Sequence, residues 1–164
     1  MSIKWHRREV KMADLEKIKK IINDPGTFKI VGTVGVDGVP HTALKQTLHI
    51  NEDGNIEFVE LLESSVSFKN ITGSIWFDKK VSILVLGANR ESYEITGKVD
   101  RILIAGRKFE EIYSKILQDK GFDIAAVVII IPEKVDNKSA KDKFEEQEST
   151  RMFYKHLDRL SIEE

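Results

Sequence analysis

No cysteine occurs in the 164 residues. Disulfides, thiolate nucleophiles and thiolate metal sites are excluded together, so any chemistry here uses oxygen, nitrogen or a cofactor. Charge of one sign is lacking too: 26 Lys plus Arg stand against 27 Asp plus Glu, a net charge of −1. Without a global positive field nothing holds a polyanion by counterion release, and nucleic acid is not an expected partner. The longest apolar run, residues 124–131, falls far short of the roughly 20 residues of a membrane-spanning helix, so no membrane association is expected. The first residues, Met-Ser-Ile-Lys-Trp-His-Arg-Arg, are charged and have no apolar core or small-residue cleavage site, which leads to an expectation of cytoplasmic residence.

Paired metal-ligand spacing is absent as well. His6, His41, His49 and His156 are scattered, and no serine sits in a nucleophile elbow. Gly32, Gly35 and Gly38 fit neither the dinucleotide fingerprint nor the phosphate loop, and a hairpin rather than a helix follows them. They are read as allowing barrel curvature and a tight turn.

What is present describes one globular domain, with 41% hydrophobic and 32% charged residues. Leu15, Ile18, Ile21 and Ile22 recur at helical spacing over 14–23, and Pro25-Gly26 stops the pattern. Residues 29–36 turn β-branched, Asp37-Gly38 supplies a hairpin turn, and a second extended run covers 41–50. The cluster at 51–55 turns the chain into a third strand, 56–62. Residues 64–74 read as a loop leading into a short helix, before strands at 81–86 and 93–104. Phe109, Ile112, Tyr113, Ile116 and Leu117 form the stripe of a further helix that Gly121 stops. Residues 124–131 are apolar throughout, which predicts a strand buried on both faces, ended by Pro132 and covered on one face by a second subunit. About six antiparallel strands with peripheral helices predict a mainly β domain over 1–136, a small closed or split barrel. A charged, helical extension over 137–164 carries Phe144, Met152, Phe153, Leu157 and Leu160.

Along the run 41–50, alternation sets Leu44, Leu48 and Ile50 on one face and Lys45, Thr47 and His49 on a polar cleft face. Gly32-Thr33-Val34-Gly35-Val36-Asp37-Gly38-Val39-Pro40-His41, then Ser65-Val66-Ser67-Phe68-Lys69-Asn70-Ile71, then Lys80-Val81-Ser82-Ile83, follow one another in order. In that order and spacing the chain resembles the FMN-binding split-barrel family related to pyridoxamine 5'-phosphate oxidase, from about the first helix to Pro132. The resemblance implies a homodimer with FMN in the cleft between subunits. It sets the flavin ring beside Lys45, Gln46 and Thr47 and the backbone of Glu60, Leu61 and Leu62, and the phosphate on Ser65, Ser67 and Lys69. A cation near the ring would stabilise a reduced flavin, and Lys45 and Thr47 are the expected donors. Where many members carry Lys or Arg before the Asn, this chain has Val66 and Ser67, which leaves Lys69, Lys45 or Arg90 to supply the charge. Asn70 is expected to brace a turn.

Pyridoxamine phosphate oxidase activity itself is not expected, because the family's closing Arg- and Trp-bearing C-terminal segment has no counterpart after Trp76. The sequence therefore leads to a small FMN-dependent oxidoreductase or electron carrier. Its rivals are a deazaflavin-binding barrel and a cofactor-free dimer acting as an interaction module.

Overall fold

A computed structural model describes the backbone of residues 12–150 and side chains from residue 16 onward. Trp5, His6, His156 and the expected apolar positions Leu15, Met152, Phe153, Leu157 and Leu160 lie outside the residues so described. The elements run α1 (Met12–Ile22), β1 (Phe28–Val34), β2 (Pro40–Leu44), β3 (His49–Ile50), β4 (Ile56–Glu60), α2 (Val66–Phe77), β5 (Lys80–Leu86), β6 (Ser92–Leu103), α3 (Arg107–Lys120), β7 (Ala126–Asn137) and α4 (Ala140–Thr150).

The seven strands form one antiparallel sheet in the order β2-β1-β5-β6-β7-β4-β3, curled into a half-barrel. One more strand is present than the sequence predicts, because the run 41–50 divides in two. Gly38, at φ 78, supplies the left-handed residue of the β1–β2 turn, where Asp37 Oδ1 accepts from Val39 N at 3.1 Å. Curling gives the sheet an inside, where Val31, Phe58, Ile83, Ile95, Val128 and Ile130 pack with Ile18 and Ile22 of α1 and Ile71 of α2.

Two expectations about the apolar strand need correction. Val128 and Ile130 do face the barrel core, but the opposite face is covered by this chain's own α3. There Val127, Val59 and Ile124 pack against Phe109, Ile112, Tyr113 and Ile116. A helical stripe and a strand face of matching apolar character bury one another within one chain, so the absence of alternation carries no information about a second subunit. Nor does Pro132 end the strand, which continues to Asn137. The register against β6 shifts at this point, from Gly97 opposite Pro132 to Thr96 opposite Lys134, and β4 has already stopped pairing at Ile130. A proline at a bulge with one neighbouring strand has no ladder bond to lose there.

Candidate functional site

The sheet does not close by a ladder. β2 ends at Leu44, and residues 45–48 carry the chain across to β3 on the far side of the half-barrel. Lys45 N still donates to Lys29 O at 2.8 Å, prolonging the β1 pairing by one bond, and Leu48 N to Lys45 O at 3.0 Å then closes a turn over Gln46 and Thr47. On the other side Thr47 Oγ1 accepts from Val59 N of β4 at 3.1 Å, a side chain doing what a strand carbonyl would do. Lys29 Nζ reaches Gln46 O at 3.4 Å, and burial pushes its ammonium below the ordinary lysine value, with Asp24's charge acting the other way.

This crossing corrects the reading of 41–50 as one alternating strand. Leu48 and Ile50 are buried, whereas Leu44 is 53% exposed on the outer face of the sheet. The turn resets the alternation, so residues before and after it do not share a face.

The second half of the seam is ionic. Lys45 Nζ lies 2.8 Å from each oxygen of the Glu60 carboxylate, their side chains 12% and 2% exposed. Ser67 Oγ donates to Glu60 Oε1 at 3.0 Å, and Ser65 Oγ lies 3.3 Å from Oε2. Ser65 is also the N-cap of α2, its hydroxyl accepting from Phe68 N at 3.0 Å. The Glu60 carbonyl is occupied separately, by Ala125 N at 2.8 Å. A buried carboxylate therefore sits at the first turn of α2, neutralised by one ammonium and two hydroxyls.

Lys45, Ser65 and Ser67, which the sequence places at a cofactor, are thus brought together, but around an internal anion. Gln46 is exposed on the crossing turn, and Thr47 is engaged with β4. Leu61 and Leu62 follow the strand instead of belonging to it and are exposed. Lys69 is not among the groups on Glu60. It lines an open cavity of about 230 Å³ with Val34, Val36, Asn70, Phe77 and Lys79. Asn70 Nδ2 donates to Thr33 Oγ1 at 3.1 Å and so braces β1, whereas the sequence predicts it to brace a turn. Arg90, the other candidate cation, belongs to the β5–β6 turn at φ 61.

The part that sequence reasoning missed is the Glu60 side chain, which was assigned only through its backbone. A signal existed. Every residue of β4 is buried, and a glutamate in such a strand needs a cation and donors. Glu57, three residues earlier and on the opposite face of β4, repeats the logic, its buried carboxylate 2.6 Å from Lys108 Nζ of α3 and 3.6 Å from His49 Nε2.

Whether FMN suits these residues divides by the parts of the molecule. The exposed pair Leu61 and Leu62 beside the crossing turn offers an apolar edge that a flavin ring can lie against. The phosphate does not fit the Ser65 and Ser67 seat as arranged, because the Glu60 carboxylate already takes its hydroxyls and the Lys45 ammonium.

A half-barrel split along one seam, with peripheral helices and a polar cluster at the start of α2, defines the class of split-barrel proteins. No family model and no curated protein matches the chain. Solved structures do. HupZ from Group A Streptococcus superposes with a TM-score of 0.63 at 22% identity, over 76% of this chain and 94% of that one. An FMN-binding protein from Syntrophomonas wolfei gives 0.62 at 18%, over 78% and 88%. A putative pyridoxamine 5'-phosphate oxidase from Lactobacillus delbrueckii gives 0.55 at 16%, over 80% and 96%. The chain has the split-barrel fold that these structures share, an FMN-binding protein and pyridoxamine 5'-phosphate oxidase-like proteins among them.

Proposed function

We propose that this chain is a flavin-binding protein, a small oxidoreductase or electron carrier that works as a homodimer with the flavin at the barrel seam. The observation that carries this reading is the split-barrel fold itself, shared with an FMN-binding protein, together with the exposed Leu61 and Leu62 as an apolar edge for a ring. Lys45, Ser65 and Ser67 come from separate segments and mark the seam where they meet around the Glu60 carboxylate.

Two surface cavities among the described residues measure about 220 and 230 Å³, below the roughly 300 Å³ at which small-molecule sites begin, and neither is lined by Lys45 or Glu60. A flavin at the seam would gain burial from another surface against it. The outer face of β2-β1-β5 supplies a reason for one to be there. Phe28 pairs with Leu86, and Ile30 pairs with Leu84 on one side and Leu44 on the other, so these side chains share one face. Phe28 is 54% and Leu44 53% exposed, and Leu84 and Leu86 are exposed as well. An apolar sheet face that ends at Leu44, one residue before Lys45, suits a two-fold partner that would also wall the seam.

Fluorescence titration of purified protein with FMN, with riboflavin and with a deazaflavin tests the reading, and quenching with saturation is expected for at least one flavin. Saturation by the deazaflavin alone would transfer the site to that cofactor. A colourless protein that quenches none of the three would leave the interaction module as the better account.

A further inference from the structure

Resting on the flavin reading, we infer that the Glu60 carboxylate is a built-in substitute for the ligand's phosphate, so that the site takes a flavin with an uncharged side chain in preference to FMN.

The donors decide this. A phosphate at the start of α2 would need the Lys45 ammonium and the hydroxyls of Ser65 and Ser67. Lys45 Nζ is 2.8 Å from both Glu60 oxygens, and each serine hydroxyl has a single proton to donate. Ser67 directs its proton to Oε1 at 3.0 Å, and Ser65 stands 3.3 Å from Oε2 while its own oxygen accepts from Phe68 N. Neither serine proton is left over, and two of the three N–H groups of the ammonium are directed at the carboxylate. The charges agree with the geometry: Lys45 and Glu60 sum to zero, and a phosphate of about −2 beside that carboxylate would meet net repulsion. Replacement cations are not at hand in this cluster, since position 66 is valine and position 67 is serine, and Lys69 lines the cavity by Phe77 and Lys79. Glu60 also cannot easily step aside. Its side chain is 2% exposed and lies within a strand buried at every residue.

An anion supplied by the protein thus completes the first turn of α2, and a riboflavin-type ligand needs only the ring surface and neutral hydrogen bonds along its ribityl chain. The test is flavin selectivity, measured by fluorescence quenching with riboflavin and FMN on the wild type and on Glu60→Gln. The wild type is expected to bind riboflavin about tenfold more tightly than FMN. Glu60→Gln keeps the shape and frees the ammonium, so FMN affinity should rise about tenfold while riboflavin affinity changes by no more than about threefold. The wild-type comparison stands by itself should the variant fail to fold. A wild type that prefers FMN would overturn the substitute role and leave the flavin reading intact. Silence toward both flavins from wild type and variant alike would remove the flavin reading and this inference with it.

Discussion

At the scale of single residues, the Lys45 and Glu60 pair holds the seam and is open to direct measurement. Removing the ammonium with Lys45→Met leaves a carboxylate that is 2% exposed with only two hydroxyls to compensate. Stranding a buried charge costs about 3–5 kcal/mol, and the remaining hydroxyls place the expectation at the lower end. Urea denaturation should report that loss, and Lys45→Met/Glu60→Met should recover at least half of it, since no charge is then left unpaired. A single-variant loss below about 1 kcal/mol would mean that the carboxylate reaches water. The same pair marks the limit of what was legible in the candidate site. Lys45, Ser65 and Ser67 could be singled out because the resemblance to the split-barrel family implies them at a cofactor, Lys45 by the ring and the serines at the phosphate. That the anion is Glu60 could not, because its side chain meets theirs only after residues 45–48 cross the barrel, a tertiary event without a local pattern.

At the scale of elements, close backbone approach and turn chemistry decide where strands bend. A Cβ at Gly97 would stand 2.6 Å from Ile130 Cγ2 and 2.8 Å from Ile131 O, beside the bulge that admits Pro132. Gly97→Ala should therefore destabilise by about 1–3 kcal/mol. Gly73 in α2 has open space around its Cβ position, and Gly73→Ala should stabilise by about 0.5–1 kcal/mol. Thermal melts of the two variants should move in opposite directions, and a shared direction would contradict the packing described here. Glu94 on β6 ties β5 to the segment after β7, accepting from Ser82 Oγ at 2.7 Å and pairing with Lys138 Nζ at 3.0 Å. Foremost the Ser82 hydroxyl, then Lys138, hold its carboxyl below the ordinary value of 4.5. A depressed folded-state value contributes stability above the unfolded value, and that contribution is lost as pH falls from about 4.5 through the folded value. Glu94→Gln should accordingly flatten the fall of Tm with pH in that acid range, and an unchanged slope would dismiss the linkage. Strands with local signals were legible: 81–86 lies within Lys80–Leu86, and the stripe from Phe109 to Leu117 lies within Arg107–Lys120. The division of 41–50 and the passage of β7 through Pro132 were not, because both depend on which neighbour a residue meets across the sheet.

At the scale of the whole molecule, two apolar surfaces that look alike in sequence have different fates. The β7 face is closed from within by α3, while the face carrying Phe28, Leu44, Leu84 and Leu86 has no covering element among the described residues. Register makes that face continuous: Phe28 opposes Leu86, Ile30 opposes both Leu84 and Leu44, and the rim turns polar at Ser82 and Glu94, 2.7 Å apart. An isologous dimer would bury the patch against its own copy, so a single substitution enters the interface twice. Leu84→Glu is expected to convert a dimer into a monomer, because it sets two carboxylates into an apolar contact without cations to meet them. Far-UV circular dichroism should stay unchanged, since Leu84 is on the outer face and the barrel core is untouched. Val128→Asp offers the contrast: Val128 is fully buried among the barrel core residues, and a carboxylate there should unfold the chain instead of separating two folded copies. Sedimentation velocity over a range of concentrations, run beside circular dichroism, distinguishes the outcomes. A wild type that sediments as a monomer, or a folded Leu84→Glu that still sediments as a dimer, would place the partner elsewhere, and flavin affinity that persists in a Leu84→Glu monomer would separate the seam from the assembly.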